Sequence, residues 1–144
     1  MAGNNDPIYT RVGDVSNNSG TGMNQLVLLA ANDYTGAGAN NSLVWTADAT
    51  NGGFLQRIRA KAGGTNVASV ARFFINNGAA YTTATNNSFY GELSLPATTA
   101  IATTATIELD YLFNFALPPG FRIYVGLGTA VAAGWAFTPV AGKY

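Results

Sequence analysis

The chain has 144 residues, room for one domain around a single hydrophobic core. It is 48% hydrophobic and only 10% charged, with seven basic residues balancing seven acidic ones; this excludes a disordered chain and any global attraction to nucleic acid or an anionic membrane. Cysteine and histidine are both missing, so disulfides and thiolate metal sites are excluded, along with the commonest general base and metal ligand.

Asn, Thr, Ser and Gly fill the polar positions where Lys and Glu usually stand. A weakly charged surface with no net charge favours association, so the expectation is an oligomer or a component of a larger assembly. The start, MAGNNDPIYTR, has neither a basic nor an apolar leader region, and no secretory signal is expected. The longest apolar runs, such as LVLLAA, fall far short of the roughly 20 residues of a spanning helix. The expectation is a protein made in the cytoplasm that stays soluble there or leaves only as part of something that lyses the cell, with no membrane partner.

In chain order, residues 1–22 come first, poor in apolar side chains and rich in Asn, Gly and Ser. Two readings stand, a disordered segment or an extended arm ordered only against a neighbour; the arm is preferred, with Pro7, Ile8 and Tyr9 as its anchor and Arg11 as a charged contact. Residues 23–144 are expected to be a β-sandwich. Short runs rich in β-branched and aromatic residues predict strands near 24–31, 42–48, 54–62, 67–76, 87–95, 104–116, 121–128 and 134–140. Asn-Asn pairs, Gly clusters and Pro118-Pro119-Gly120 separate them with residues that tolerate or preset turn dihedrals. No window carries a capped 3.6-residue stripe, so helix is limited to a turn or two.

Period-2 patterns assign faces. Ile107, Leu109, Tyr111, Phe113 and Phe115 share one side, opposite Glu108, Asp110, Leu112 and Asn114. Phe121, Ile123, Val125 and Leu127 form a second apolar row, and Ala71, Phe73 and Ile75 a third. In FLQRIRAK, strict alternation puts Phe54, Gln56, Ile58 and Ala60 inside and Leu55, Arg57, Arg59 and Lys61 outside. The fold class that follows is all-β, an antiparallel two-sheet sandwich.

Candidate sites are few. Arg57, Arg59 and Lys61 lie at i, i+2 and i+4 of one strand and so share a face. They offer contact with an acidic partner surface, against a solvated face balanced by Glu108 and Asp110. Three cations without interleaved aromatics do not read as a nucleic-acid site. Two acids on one strand face stand about 7 Å apart, between the retaining and inverting glycosidase separations, and nothing else points to hydrolysis. Serines and threonines lack a histidine base, and the glycine-rich GTGM and GLGT match no phosphate loop. No catalytic residue, cofactor or metal is therefore expected. Tyr34, Trp45, Tyr81, Phe89, Tyr90 and Trp135 fall near loops or strand ends. They are candidates for sugar stacking, for partner contact or for the core; Trp45 and Trp135 are carried forward as partner-contact candidates.

The segments GGFLQRIRAKAGGTNVASVARFFINNG and IELDYLFNFALPPGFRIYVGLGTA resemble a group of small phage and prophage proteins. The matching positions are Ile58, Lys61, Ala62, Gly64, Thr65, Arg72, Phe73, Phe74, Ile75, Gly78, Leu117, Pro118, Gly120 and Phe121, within about residues 54–140. The resemblance implies a virion structural protein of jelly-roll type, placed on the capsid surface as a decoration (cement) protein or in the tail. It also implies trimers that clasp neighbouring capsomers, so the expected partners are the major capsid protein and further copies of this chain. A receptor- or carbohydrate-binding fibre tip on the same sandwich is the competing expectation.

Overall fold

The computed structural model describes residues 9–15 and 26–144. Among the described residues the elements in order are β1 (Val12–Asp14), β2 (Leu26–Val27), β3 (Ser42–Thr46), β4 (Gly53–Ala62), β5 (Ser69–Asn76), a 3-10 turn (Ala84–Asn86), β6 (Asn87–Leu95), β7 (Glu108–Leu117), β8 (Arg122–Leu127) and β9 (Trp135–Lys143). All strand pairs are antiparallel. One sheet runs β1-β9-β4-β7, with β2 also paired to β9; the other runs β3-β8-β5-β6. The protein is an all-β, two-sheet sandwich.

Each sheet contributes one apolar face. Leu55, Ile58 and Ala60 of β4, Phe113 and Leu117 of β7, and Trp135 and Phe137 of β9 meet Ala71 and Phe73 of β5 and Ile123, Val125 and Leu127 of β8. Phe73 sits where the layers meet, with ring centres 4.7 Å from Tyr111, 5.6 Å from Phe113 and 6.1 Å from Phe137. Each such ring or aliphatic side chain contributes roughly 1.5–3 kcal/mol when fully buried, which makes this layer the main source of stability.

The eight expected strands all appear, with three corrections. The first concerns β4, where strict alternation fails. The register shifts between Leu55 and Arg57 against both neighbours: the exposed Gln56 is the extra residue against β9, whereas on β7 both Phe113 and Asn114 lie opposite it. This β-bulge puts Leu55, fully buried, on the same face as Ile58. Asn114, opposite the shift on β7, has φ 52°, a conformation that Asn tolerates better than most residues.

The second correction is the segment expected as a strand over 24–31. Only Leu26 and Val27 pair, with Ala136 and Trp135. The chain then crosses to the other sheet, where Ala31 and Asn32 both donate to the Leu127 carbonyl at 2.9 and 3.2 Å. The third lies in the expected arm. Val12, Gly13 and Asp14 pair with Lys143, Gly142 and Ala141, so this stretch is a strand in line with β2 along the same edge of β9. Pro7 and Ile8 lie outside the described residues.

Candidate interaction surfaces

The outer flank of the first sheet carries the basic stripe. The register sets Arg59 directly opposite Asp110 and Lys61 opposite Glu108. Arg59 Nε donates to Asp110 Oδ1 at 3.3 Å, and Arg57 Nε lies 3.5 Å from the same oxygen. Arg59 and Lys61 each reach Glu108 Oε2 at 3.9 Å, and Lys61 Nζ also donates to the Thr106 carbonyl at 2.6 Å. The hydrogen bond from Arg59 to Asp110 and the charges of Asp110 and Glu108 hold the Arg59 guanidinium pKa above its ordinary value. The stripe is thus a balanced, solvent-facing ladder, not a free cationic patch. Beside it Leu112 is 61% exposed.

The two tryptophans belong to the core. Trp45 and Trp135 have no exposed surface, which corrects their assignment as partner contacts. A Cβ on Gly53 would press on the Trp45 ring at 3.0 Å, so the glycine makes room for the indole between the sheets. The Trp45 Nε1 proton is donated to Asp14 Oδ2 at 3.0 Å. The same oxygen lies 3.1 Å from Lys143 Nζ. Asp14, buried on β1, therefore ties the N-terminal strand to both sheets. Sequence reasoning missed it, because an acid within VGDV has no periodic signal. Tyr9 is 76% exposed ahead of β1, and the Arg11 backbone N–H donates to the Lys143 carbonyl at 2.8 Å.

The outer face of the second sheet is covered by loop 28–41. Phe74, pointing away from the sandwich core, is nonetheless fully buried. Gly36, at φ 75°, lies against its ring, where a Cβ would stand 2.9 Å from it. Asp33 organises the loop. Its Oδ1 accepts from Thr35 N at 2.6 Å, Thr35 Oγ1 at 2.7 Å and Gly36 N at 2.8 Å. Its Oδ2 accepts from Gly38 N at 3.1 Å and Asn41 Nδ2 at 2.7 Å. Burial alone would raise the carboxyl pKa, but the bonds from Thr35, Asn41 and Gly38 outweigh it and hold the pKa below the ordinary aspartate value.

Arg72 is buried under this loop. Its Nε donates to Glu92 Oε1 at 2.9 Å, its Nη2 to the Tyr34 hydroxyl at 2.8 Å, and its Cζ lies 3.9 Å from the Tyr34 ring centre. Tyr34 meets Phe89 edge-on at 5.7 Å, and both rings remain largely exposed. Tyr81 stacks on Tyr124 at 4.8 Å. Tyr90 stacks on Phe113 at 5.0 Å and closes the side of the sandwich between β6 and β7. Of the aromatic candidates, only Tyr34 and Phe89 form a pair open to solvent on this covered face. Among the described residues no group of three or more acidic side chains gathers as a cation site.

Comparison with protein families, with curated proteins and with solved structures found no match. The surfaces are consequently read from their chemistry alone: a neutralised charged ladder, a loop-clad aromatic face, and a set of uncharged loops at one end.

Proposed function

We propose that this chain is a structural component of a bacteriophage particle, a jelly-roll decoration protein that binds the capsid surface between capsomers and stabilises the mature head. The strand wiring carries this reading. Counting β2 to β9 as first to eighth, the sheets have the orders 1-8-3-6 and 2-7-4-5, the arrangement made by folding one long antiparallel hairpin across two layers. The positions that resemble small phage proteins fall on this frame: Ile58 on β4, Arg72 to Ile75 on β5, and Leu117 to Phe121 around the turn from β7 to β8. Together with a surface low in charge, they support a scaffold whose work is contact.

The mechanism is mass action. A protein that binds only the expanded, mature shell stabilises it by RT ln(1 + [L]/Kd), and symmetric copies add avidity. The partners in this reading are the major capsid protein and further copies of this chain, as a trimer.

Quantitative mass spectrometry of purified particles, scaled to the major capsid protein, tests the reading. A copy number near one per capsomer or per shell subunit is the expected result, and absence from particles overturns it. A handful of copies would instead favour the fibre-tip reading. For that alternative the exposed Tyr34–Phe89 pair is the remaining stacking platform, since Trp45 is buried. Tyr34→Ala would then abolish glycan-array binding.

A further inference from the structure

The four loops that join β2 to β3 (28–41), β4 to β5 (63–68), β6 to β7 (96–107) and β8 to β9 (128–134) emerge at one end of the sandwich. The pairing fixes this placement, since Ala62 lies opposite Trp135 and Lys61 opposite Glu108 at the strand ends from which they leave. Their only charged side chain is Asp33, whose carboxylate is occupied by the hydrogen bonds of its own loop. Loops 63–68, 96–107 and 128–134 carry neither charges nor aromatic rings; they are built of Ala, Thr and Gly with Asn66, Pro96 and a few aliphatics.

These three loops are also joined to one another. Asn66, buried, exchanges backbone hydrogen bonds with Thr98 at 3.1 and 2.9 Å. Its side chain donates to the Gly134 carbonyl at 3.0 Å and accepts from Ala133 N at 2.8 Å. Thr98 Oγ1 donates to the Gly64 carbonyl at 2.6 Å, and Ala100 N donates to Thr65 Oγ1 at 2.9 Å. Asn66 and Thr98 thus spend their polar groups between the loops, while Val67 (58% exposed), Ile101 (55%) and Ile107 (40%) point to solvent among exposed Ala and Thr side chains such as Thr99, Thr103 and Thr104. Lys61 and Glu108, paired with each other, stand at the rim. A pre-ordered apolar centre with a polar edge loses little conformational entropy on binding and little polar solvation.

The chemistry selects the occupant. A membrane surface would call for cations and interfacial aromatics, which these three loops lack. Nucleic acid would call for cations. A second copy imposes the opposite demand: around a symmetry axis like groups approach like, so any charge would face its own sign. We infer that this loop end is the surface through which copies of this chain assemble around a symmetry axis, with Val67 and Ile101 at its centre. The inference rests on the self-association part of the proposed function and is independent of attachment to a shell.

Light scattering on the full chain eluting from a sizing column, over a concentration series, tests it. The wild type is expected at an integer multiple of the monomer mass. Ile101→Lys and Val67→Lys are expected at the monomer mass with an unchanged circular dichroism spectrum. Leu112→Lys, on the flank of β7, is expected to keep the wild-type mass. A monomeric wild type, end variants that remain assembled, or dissociation by Leu112→Lys would each overturn the inference.

Because the chain has no cysteine, single-thiol variants give a second readout that needs no loss of assembly. Ile101→Cys should form cross-linked pairs under mild oxidation, and Leu112→Cys should not; the reverse pattern overturns the assignment. A monomer in solution that still occupies particles at high copy would sink this inference and leave the proposed function standing.

Discussion

Single polar residues do much of the positioning in a chain with few charges. Asp33 accepts five hydrogen bonds from four residues of its own loop and thereby lays loop 28–41 over Phe74. Its carboxyl titrates below the ordinary aspartate value in the folded state. The stability it adds is therefore fully present above the unfolded-state pKa and is lost as pH falls through the lowered folded-state pKa. Asp33→Ala should cost about 1 kcal/mol or more near neutral pH, and the gap between the urea midpoints of variant and wild type should shrink in acid below that window. A gap that stays constant with pH would show that the charge of Asp33 is not what holds the loop. Asn residues play a parallel part. Asn66 bonds Ala133 and Gly134, and the fully buried Asn76 bonds Asn87 Oδ1 at 2.8 Å and Gly78 N at 2.9 Å. Asn76 and Asn87, read from the sequence as members of Asn-Asn turn pairs, act here as side-chain fasteners between segments.

Strand β4 shows what one residue can do at the level of an element. Against β9 Gln56 is the extra residue of a β-bulge, while β7 sets both Phe113 and Asn114 opposite it, and the pleat of β4 changes parity at this bulge. Without it, a strand that buries Ile58 and Ala60 would send Leu55 to solvent and bring Gln56 into the core. Deleting Gln56 would leave Leu55 and Ile58 in plain alternation and in continuous register with β9, but would leave Phe113 and Asn114 of β7 with no residue of β4 opposite them. The expected result is a lower melting temperature with the fold retained, whereas Gln56→Ala should unfold like the wild type. A deletion variant as stable as the wild type would mean that β7 absorbs the change in register at no cost. The stripe itself supplies little stability: the groups are solvent-facing, and such pairs are screened by salt. On β5 the sequence carried a legible sign of double burial, Phe73 and Phe74 side by side. Alternation assigns the inward face to Phe73 alone, and only loop 28–41 accounts for Phe74.

At the scale of the whole molecule, the first residues are the point where reading and structure part. An arm over 1–22 would be removable without harm to the fold, and deleting 1–15 would then weaken only attachment to a shell. Val12–Asp14 is instead a strand on β9, and Asp14 accepts the Trp45 indole proton and pairs with Lys143. Removing 1–15 should lower the melting temperature, because it strips an edge from the sheet and leaves a buried donor without its partner, which costs about 1–3 kcal/mol. Asp14→Ala should reproduce much of that loss, and Asp14→Asn, which keeps an acceptor for the indole, less of it. Equal melting temperatures for the truncated and full chains would restore the arm. Any particle-binding assay on the truncation has to be read against this loss of stability.

Composition, turn residues and period-2 alternation were enough to establish an all-β sandwich, eight strand locations and most of the inner face, because burial of one face per strand is written locally in every second residue. The pairing of Arg59 with Asp110 and Lys61 with Glu108 was also within reach, as two complementary stripes of matching period. What only the tertiary structure decided depends on neighbours distant in sequence. The bulge at Gln56 needs β9 to define it, and Trp45 becomes core because β1 and β4 close over it. The strand within 1–22 exists because β9 offers an open edge, and the uncharged loops become one surface only when the two sheets bring their ends together. Local pattern encodes which way a side chain points; which segment it then meets is set by the packing of the whole chain.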